Sequence, residues 1–176
     1  MRVFVAIFLP EELKERLHFL SEEISKGASA KLVEKQNLHL TLLFIGEIDA
    51  FDLKKIKKII KENLISGKIK LSLGKVSLFG KKSKPEGVWV EVGGEKEKLF
   101  RLYKKLVDSF LKNGFLLREK IEFTPHVTLY RFKKGVNKPP FLDLKLDFEV
   151  RVLSLYQSVL TAQGPVYTKL ADFELK

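Results

Sequence analysis

The chain has 176 residues, 45% of them hydrophobic, with 14 Phe and a formal net charge of +11. So large an apolar share excludes a disordered basic tail, and the length suits one domain, or two small lobes sharing a core. The charge favours an anionic partner (nucleic acid, a membrane surface or a phosphorylated small molecule), while zero cysteines exclude a disulfide scaffold, a thiol nucleophile and cysteine-held zinc or iron–sulfur.

Val3–Leu9 is rich in β-branched and aromatic residues and predicts a buried strand. The run is short, Glu11, Glu12 and Lys14 follow at once, and no later stretch approaches eighteen apolar residues. No leader and no membrane span are expected, and the expected location is the cytoplasm. Pro10 stands where a helix starts, and Leu13, Leu17, Leu20 and Ile24 recur at helical spacing over Glu11–Ile24, with Gly27 beyond. A short extended piece, Lys31–Glu34, leads to an apolar strand, Leu38–Ile45. Asp49 is placed to cap a second helix, Phe51–Leu64, with Leu53, Ile56, Ile60 and Leu64 on one face.

The second half repeats the theme. Lys70–Phe79 predicts a strand, Lys81–Gly87 a loop, and Val88–Val92 another strand. Lys96–Lys112 predicts a helix closed by Asn113-Gly114. Phe123–Phe132 predicts a strand, Lys133–Pro140 a loop, and Val150–Leu160 and Val166–Leu175 two final strands. The recurrence of strand, helix and strand points to a duplication at half-chain scale. Two α+β lobes are expected, each a sheet with helices on one face, and no linker divides 1–176 into separate domains.

Two of the three histidines stand in one tetrapeptide frame, His39-Leu40-Thr41-Leu42 and His126-Val127-Thr128-Leu129, one in each half. With five threonines in the chain, that coincidence has odds of roughly one in several hundred. Side chains at i and i+2 of a strand share a face. His39 and Thr41 therefore point one way while Leu40 and Leu42 point into a core, and His126 and Thr128 repeat the arrangement. Two imidazoles in opposite protonation states can take a proton from an attacking oxygen and give one to a leaving oxygen. Two hydroxyls can donate to phosphate oxygens where charge grows. Such chemistry needs no metal and no cofactor, and two histidines without a nearby carboxylate or cysteine make a poor metal shell. A single strand histidine beside threonine is often only a half-buried residue satisfied by a neighbour; the matched pair is what points to catalysis. His18, on the first helix and outside any such frame, reads as a surface or boundary residue.

At these residues the chain resembles the two-histidine (HxTx) phosphoesterases, and within them the RNA 2′,3′-cyclic phosphodiesterases, also called 2′-5′ RNA ligases. The resemblance spans nearly the whole chain: Arg2–Ala6 with Leu9-Pro10, Asn37–Leu42 with Phe44–Glu47, Trp89, Phe123–Leu129 with Arg131, and Leu155, Ser158, Gly164-Pro165 and Tyr167. Leu43 departs from it, standing where many relatives carry Lys, which removes a phosphate contact near the first motif. The resemblance implies a bilobal α+β fold with two pseudo-symmetric antiparallel-sheet lobes, helices on the outer faces and a central cleft. It also implies hydrolysis of a terminal 2′,3′-cyclic phosphate on RNA to a 2′-phosphate, with His39 as proton donor to the leaving 3′ oxygen, His126 as the base that activates water, and Thr41 and Thr128 as phosphate ligands.

The residues themselves add two candidates for substrate binding. Tyr130 shares strand parity with His126 and Thr128 and so offers a stacking face to the terminal base. Arg131 has the opposite parity and reaches phosphate only if a bulge intervenes. Lys81-Lys82-Ser83-Lys84 is a candidate clamp on the RNA backbone. A monomer acting on RNA is expected, with no membrane partner. The same acid–base pair serves ligation of RNA halves through a 2′-5′ bond. A small cyclic nucleotide phosphate as substrate and a non-catalytic RNA-binding module are the remaining alternatives.

Overall fold

The computed structural model describes residues 1–117 and 123–175. In chain order the elements are β1 (Arg2–Phe8), α1 (Glu11–Ile24), β2 (Ser29–Leu32), β3 (His39–Glu47), α2 (Leu53–Glu62), β4 (Ile69–Lys81), β5 (Lys84–Gly94), α3 (Lys96–Lys112), β6 (His126–Lys134), β7 (Asp143–Val150), β8 (Val152–Thr161) and β9 (Gly164–Glu174). The strands form one antiparallel sheet in the order β7-β4-β5-β6-β3-β1-β8-β9, with β2 paired to β6 beside that path. Read outward from the β6–β3 seam, the two wings match: β6 with β3, β5 with β1, β4 with β8, β7 with β9. The unit β1-α1-β3 is thus repeated as β5-α3-β6.

The lobes are therefore wings of one sheet and not two separate sheets. The repeat does not follow the half-chain boundary either. The closing hairpin β8–β9 joins the wing of β1 through the pairing of Arg2–Ala6 with Ser154–Ser158, and β2 crosses to pair with β6. At the seam β3 and β6 share one registered pair, Leu40 with Val127.

The helices cover one face of the sheet. Leu13 and Leu17 of α1, Ile56, Ile59 and Ile60 of α2, and Leu99, Leu102, Leu106 and Phe110 of α3 join one core with Leu40, Leu42, Val127 and Leu129. Each such large side chain, once buried, stabilises the fold by about 1.5–3 kcal/mol before conformational entropy is set against it. The core draws on both wings, so packing as well as pairing holds them together. No helix among the described residues is long and apolar enough to cross a membrane.

Helices α1 and α3 have the bounds their periodicity predicts. The second helix is shorter, because Ala50–Asp52 forms a 3-10 turn ahead of it and Asp49 makes no side-chain cap. The segment 81–87 is not a loop: β4 and β5 stay paired out to Lys81 and Lys84, leaving Lys82-Ser83 as a two-residue turn. Lys81 and Lys84 project from backbone committed to the ladder, which hydropathy alone does not reveal. Strand β7 is an addition to the expected set. Its signal is the strict alternation Leu144, Leu146, Phe148, Val150, and it pairs with β4 from Asp143 to Val150.

Candidate active site

His39 and His126 open their strands on either side of the seam, and both side chains line one cavity of about 260 Å³ together with Thr41 and Thr128. Strand parity sends Leu40, Leu42, Val127 and Leu129 the other way, where all are at most 1% exposed. The two frames therefore face each other across the cleft, as the i, i+2 spacing predicts.

Each imidazole is fixed by the same local device. The His39 Nδ1–H donates to the carbonyl of Asn37 at 2.6 Å, and the His126 Nδ1–H donates to the carbonyl of Thr124 at 2.7 Å. Both acceptors lie two residues upstream, on the same face of the chain. With Nδ1 holding the proton, Nε2 is the basic nitrogen turned to the cavity. At His39 that nitrogen accepts from the Thr41 hydroxyl at 2.9 Å.

The two environments differ. His39 sits among aromatic rings: Phe8 stacks on it at 5.2 Å, Phe4 leans at 5.3 Å, and Tyr167 meets it edge-on at 5.3 Å. Burial pushes its pKa down to about 4, with the charges of His126 and Lys14 acting in the same direction. His126 is more open and carries one ring, Trp89, at 4.2 Å. Burial also lowers its pKa, and the Arg131 guanidinium adds to that. Trp89 is itself held, its indole N–H donating to the Ser77 hydroxyl at 2.8 Å and that hydroxyl to Glu91 at 3.1 Å. In both rings burial favours the neutral form.

Beyond the threonines both strands carry a bulge at the same place. In β3, Val5 pairs with Leu43 but Ala6 with Thr41, leaving Leu42 as the extra residue. In β6, Val88 pairs with Tyr130 but Trp89 with Thr128, leaving Leu129 extra. A bulge inverts the alternation that follows it. Leu43 and Tyr130 are thereby turned into the core at 0% exposure, and Phe44 and Arg131 come to the cavity wall.

The bulge corrects the expectation for Tyr130. Its ring packs against Phe132 and its hydroxyl is buried without a hydrogen-bond partner among the described residues, so no face is left for a base. Arg131 takes the cleft position, lying 4.9 Å over the Phe79 ring and 3.5 Å from Glu86. Leu43 is likewise in the core, so a residue at its position is turned away from the cleft. Lys81-Lys82-Ser83-Lys84 forms the exposed tip of the β4–β5 hairpin, outside the cavity wall. His18 lies on α1, 3.6 Å from Glu22, and is not part of the cavity.

Sequence reasoning gives no site role to several wall residues. Phe44 is hidden by the same bulge logic that hides Arg131. Asn37 is 8% exposed and donates through Nδ2 to the carbonyl of Pro165 at 3.1 Å, which draws the β8–β9 turn over the cleft. Gly164 and Tyr167 thereby join the wall. Lys31 enters from β2, a strand whose crossing to β6 no periodicity encodes.

A palindromic α+β sheet carrying two facing His-x-Thr strands defines a two-histidine phosphoesterase. Residues 7–90 match the family described as LigT-like phosphoesterase. The chain is 32% identical to the RNA 2′,3′-cyclic phosphodiesterase of Methanocaldococcus jannaschii, over 98% of this chain and 100% of that protein. It is 34% identical to that of Archaeoglobus fulgidus, over 99% of this chain and 100% of that protein. The crystal structure of TT0787 from Thermus thermophilus superimposes with a TM-score of 0.91 at 28% identity, covering 99% of this chain and 98% of that one. E. coli LigT in apo form shares the fold, with a TM-score of 0.82 at 24% identity over 98% of this chain and 96% of its own. The chain belongs to the LigT-like phosphoesterase family.

Proposed function

We propose that this chain is an RNA 2′,3′-cyclic phosphodiesterase that opens a terminal cyclic phosphate to a 2′-phosphate. One observation carries the reading: two imidazoles, each with Nδ1–H held by an i−2 carbonyl, line one cavity together with Thr41 and Thr128. The full-length relatives named for that activity support the substrate class.

In this mechanism His126 is the base. It is the more open of the pair, so water reaches its Nε2, which takes the proton as the water oxygen attacks phosphorus. The bond from phosphorus to O3′ breaks, and His39 Nε2 gives O3′ its proton. The products are a 2′-phosphomonoester and a 3′-hydroxyl, and the two histidines have exchanged protonation states. Burial keeps His39 neutral at neutral pH, so it takes up a proton from solvent as the substrate binds. An anionic phosphate beside Nε2 favours the imidazolium and offsets the burial that holds its pKa near 4. The Thr41 hydroxyl, which donates to the neutral ring, then turns to a phosphate oxygen, joined by Thr128. The whole chain, 1–176, acts as one monomeric catalytic domain on RNA ends in the cytoplasm. In support of that location, without cysteine it needs no oxidising compartment.

The test is a short RNA ending in a 2′,3′-cyclic phosphate, incubated with EDTA and wild type, His39→Ala or His126→Ala. Wild type converts it to the 2′-phosphate, and each variant loses about 10²–10⁴-fold in kcat. Equal turnover in wild type and both variants refutes the mechanism, and a wild-type rate abolished by the chelator refutes its independence of metal.

A further inference from the structure

The cavity is small for a ligand pocket, at about 260 Å³. It has room for the terminal nucleotide, and the rest of an RNA strand must leave across the rim. At that rim Lys31 of β2 stands directly opposite Arg131 of β6 in the antiparallel register. Both side chains line the cavity. Like charges placed opposite each other weaken strand pairing, so this pair costs the β2–β6 ladder stability. Partial relief comes to one side only: Arg131 has Glu86 at 3.5 Å. Lys31 has no ion pair among the described residues. Glu34, the carboxylate on the same wall, accepts from the Gln36 amide instead.

The Lys31 ammonium also spans the cleft mouth. It lies over Gly164 in the β8–β9 turn, where a Cβ would meet Nζ at 3.2 Å. Among the described residues, two cations are thus held on one face with a single carboxylate, Glu86, in an ion pair with either, three residues of β6 beyond Thr128. The bulge at Leu129 shortens that path to the two-residue rise from Trp89 to Gly87 on β5, about 7 Å, the reach of one nucleotide.

We infer that Lys31 and Arg131 form a second phosphate site, which holds the phosphodiester on the 5′ side of the terminal nucleotide and makes an RNA of two or more nucleotides, not a free cyclic mononucleotide, the preferred substrate. The inference rests on the proposed cyclic phosphodiesterase activity and extends it to substrate length. Thr41, Thr128 and the histidines hold the reacting phosphorus, and Lys31 acts one phosphate upstream with no part in bond breaking.

The experiment compares three substrates that share one reacting end: a 2′,3′-cyclic mononucleotide, a dinucleotide ending in the cyclic phosphate, and the same dinucleotide with an uncharged methylphosphonate link. Wild type favours the charged dinucleotide in kcat/KM by about tenfold over either other substrate, the scale of one charge-assisted hydrogen bond. Lys31→Ala lowers kcat/KM about tenfold more for the charged dinucleotide than for the mononucleotide, chiefly through KM, and Lys31→Arg restores the preference. Equal loss on all three substrates, or a wild type indifferent to the linkage charge, overturns the inference. Binding of a fluorescent dinucleotide carrying a terminal 2′-phosphate, in its charged and methylphosphonate forms, is measured on the same variants. If wild type hydrolyses none of the substrates, the proposed activity falls, and a charge-selective loss of binding in Lys31→Ala still decides the phosphate site.

Discussion

The Asn37 side-chain amide donates to the carbonyl of Pro165 across 3.1 Å, joining two residues 128 positions apart. The Asn37 main-chain carbonyl accepts the His39 Nδ1–H at 2.6 Å. One residue therefore pins the β8–β9 turn over the cleft and orients the general acid. Asn37→Ala leaves the turn unpinned and removes the partner of a half-buried carbonyl. We expect a loss of about 1–2 kcal/mol in urea unfolding and a fall of about tenfold in kcat, since misplacement near a reacting group is costly. A variant of wild-type stability and rate would refute the link.

Stability should also follow the His39 ring. In the unfolded chain the imidazole takes a proton below its ordinary 6.5, whereas in the folded protein burial holds it neutral until about 4. Between those values the unfolded state binds more protons, so stability falls as pH drops from 6.5 towards 4 and this contribution is gone below it. The full span is worth about 3 kcal/mol. Urea unfolding at pH 7, 5.5 and 4 measures it, with His39→Gln as the control. The carboxylates add their own slope in both proteins, so the difference between the two isolates the ring. Parallel stability curves for the two proteins would contradict the assignment.

The paired His-x-Thr frames are legible because strand parity is a local rule, and it holds from His39 to Leu42 and from His126 to Leu129. It fails one residue later in both strands. A bulge is set by how two strands register against each other, and the sequence of one strand does not encode it. For that reason local parity assigns Tyr130 to the cleft and Arg131 only conditionally. The same limit hides the crossing of β2 and the return of β8–β9 to the first wing, since both are choices of partner made by packing. Strand β7 is different: the alternation from Leu144 to Val150 is in plain view, but the Lys133–Pro140 loop before it masks the start of a new strand.

Tyr130 offers a test of the bulge itself. Its hydroxyl is buried without a partner among the described residues, and burial raises its pKa above 10.0. An unsatisfied buried hydroxyl destabilises, so Tyr130→Phe should raise stability by about 1 kcal/mol and leave kcat/KM within about twofold. A Phe variant of unchanged stability but sharply weaker substrate binding would place the phenol in the cleft and remove the bulge from the account.

Trp89 is the chain's one tryptophan, and it stands 4.2 Å from the His126 ring. An imidazolium in that position accepts an electron from the excited indole and quenches it, whereas the neutral ring quenches far less. Intrinsic fluorescence should therefore drop on acidification with a midpoint below 6.5, the direction in which burial moves His126. The transition should vanish in His126→Ala. In Arg131→Ala it should move to higher pH, because the guanidinium charge helps hold the ring neutral. A midpoint at or above 6.5, or a transition that persists without His126, would separate the two rings and leave the general base exposed to solvent.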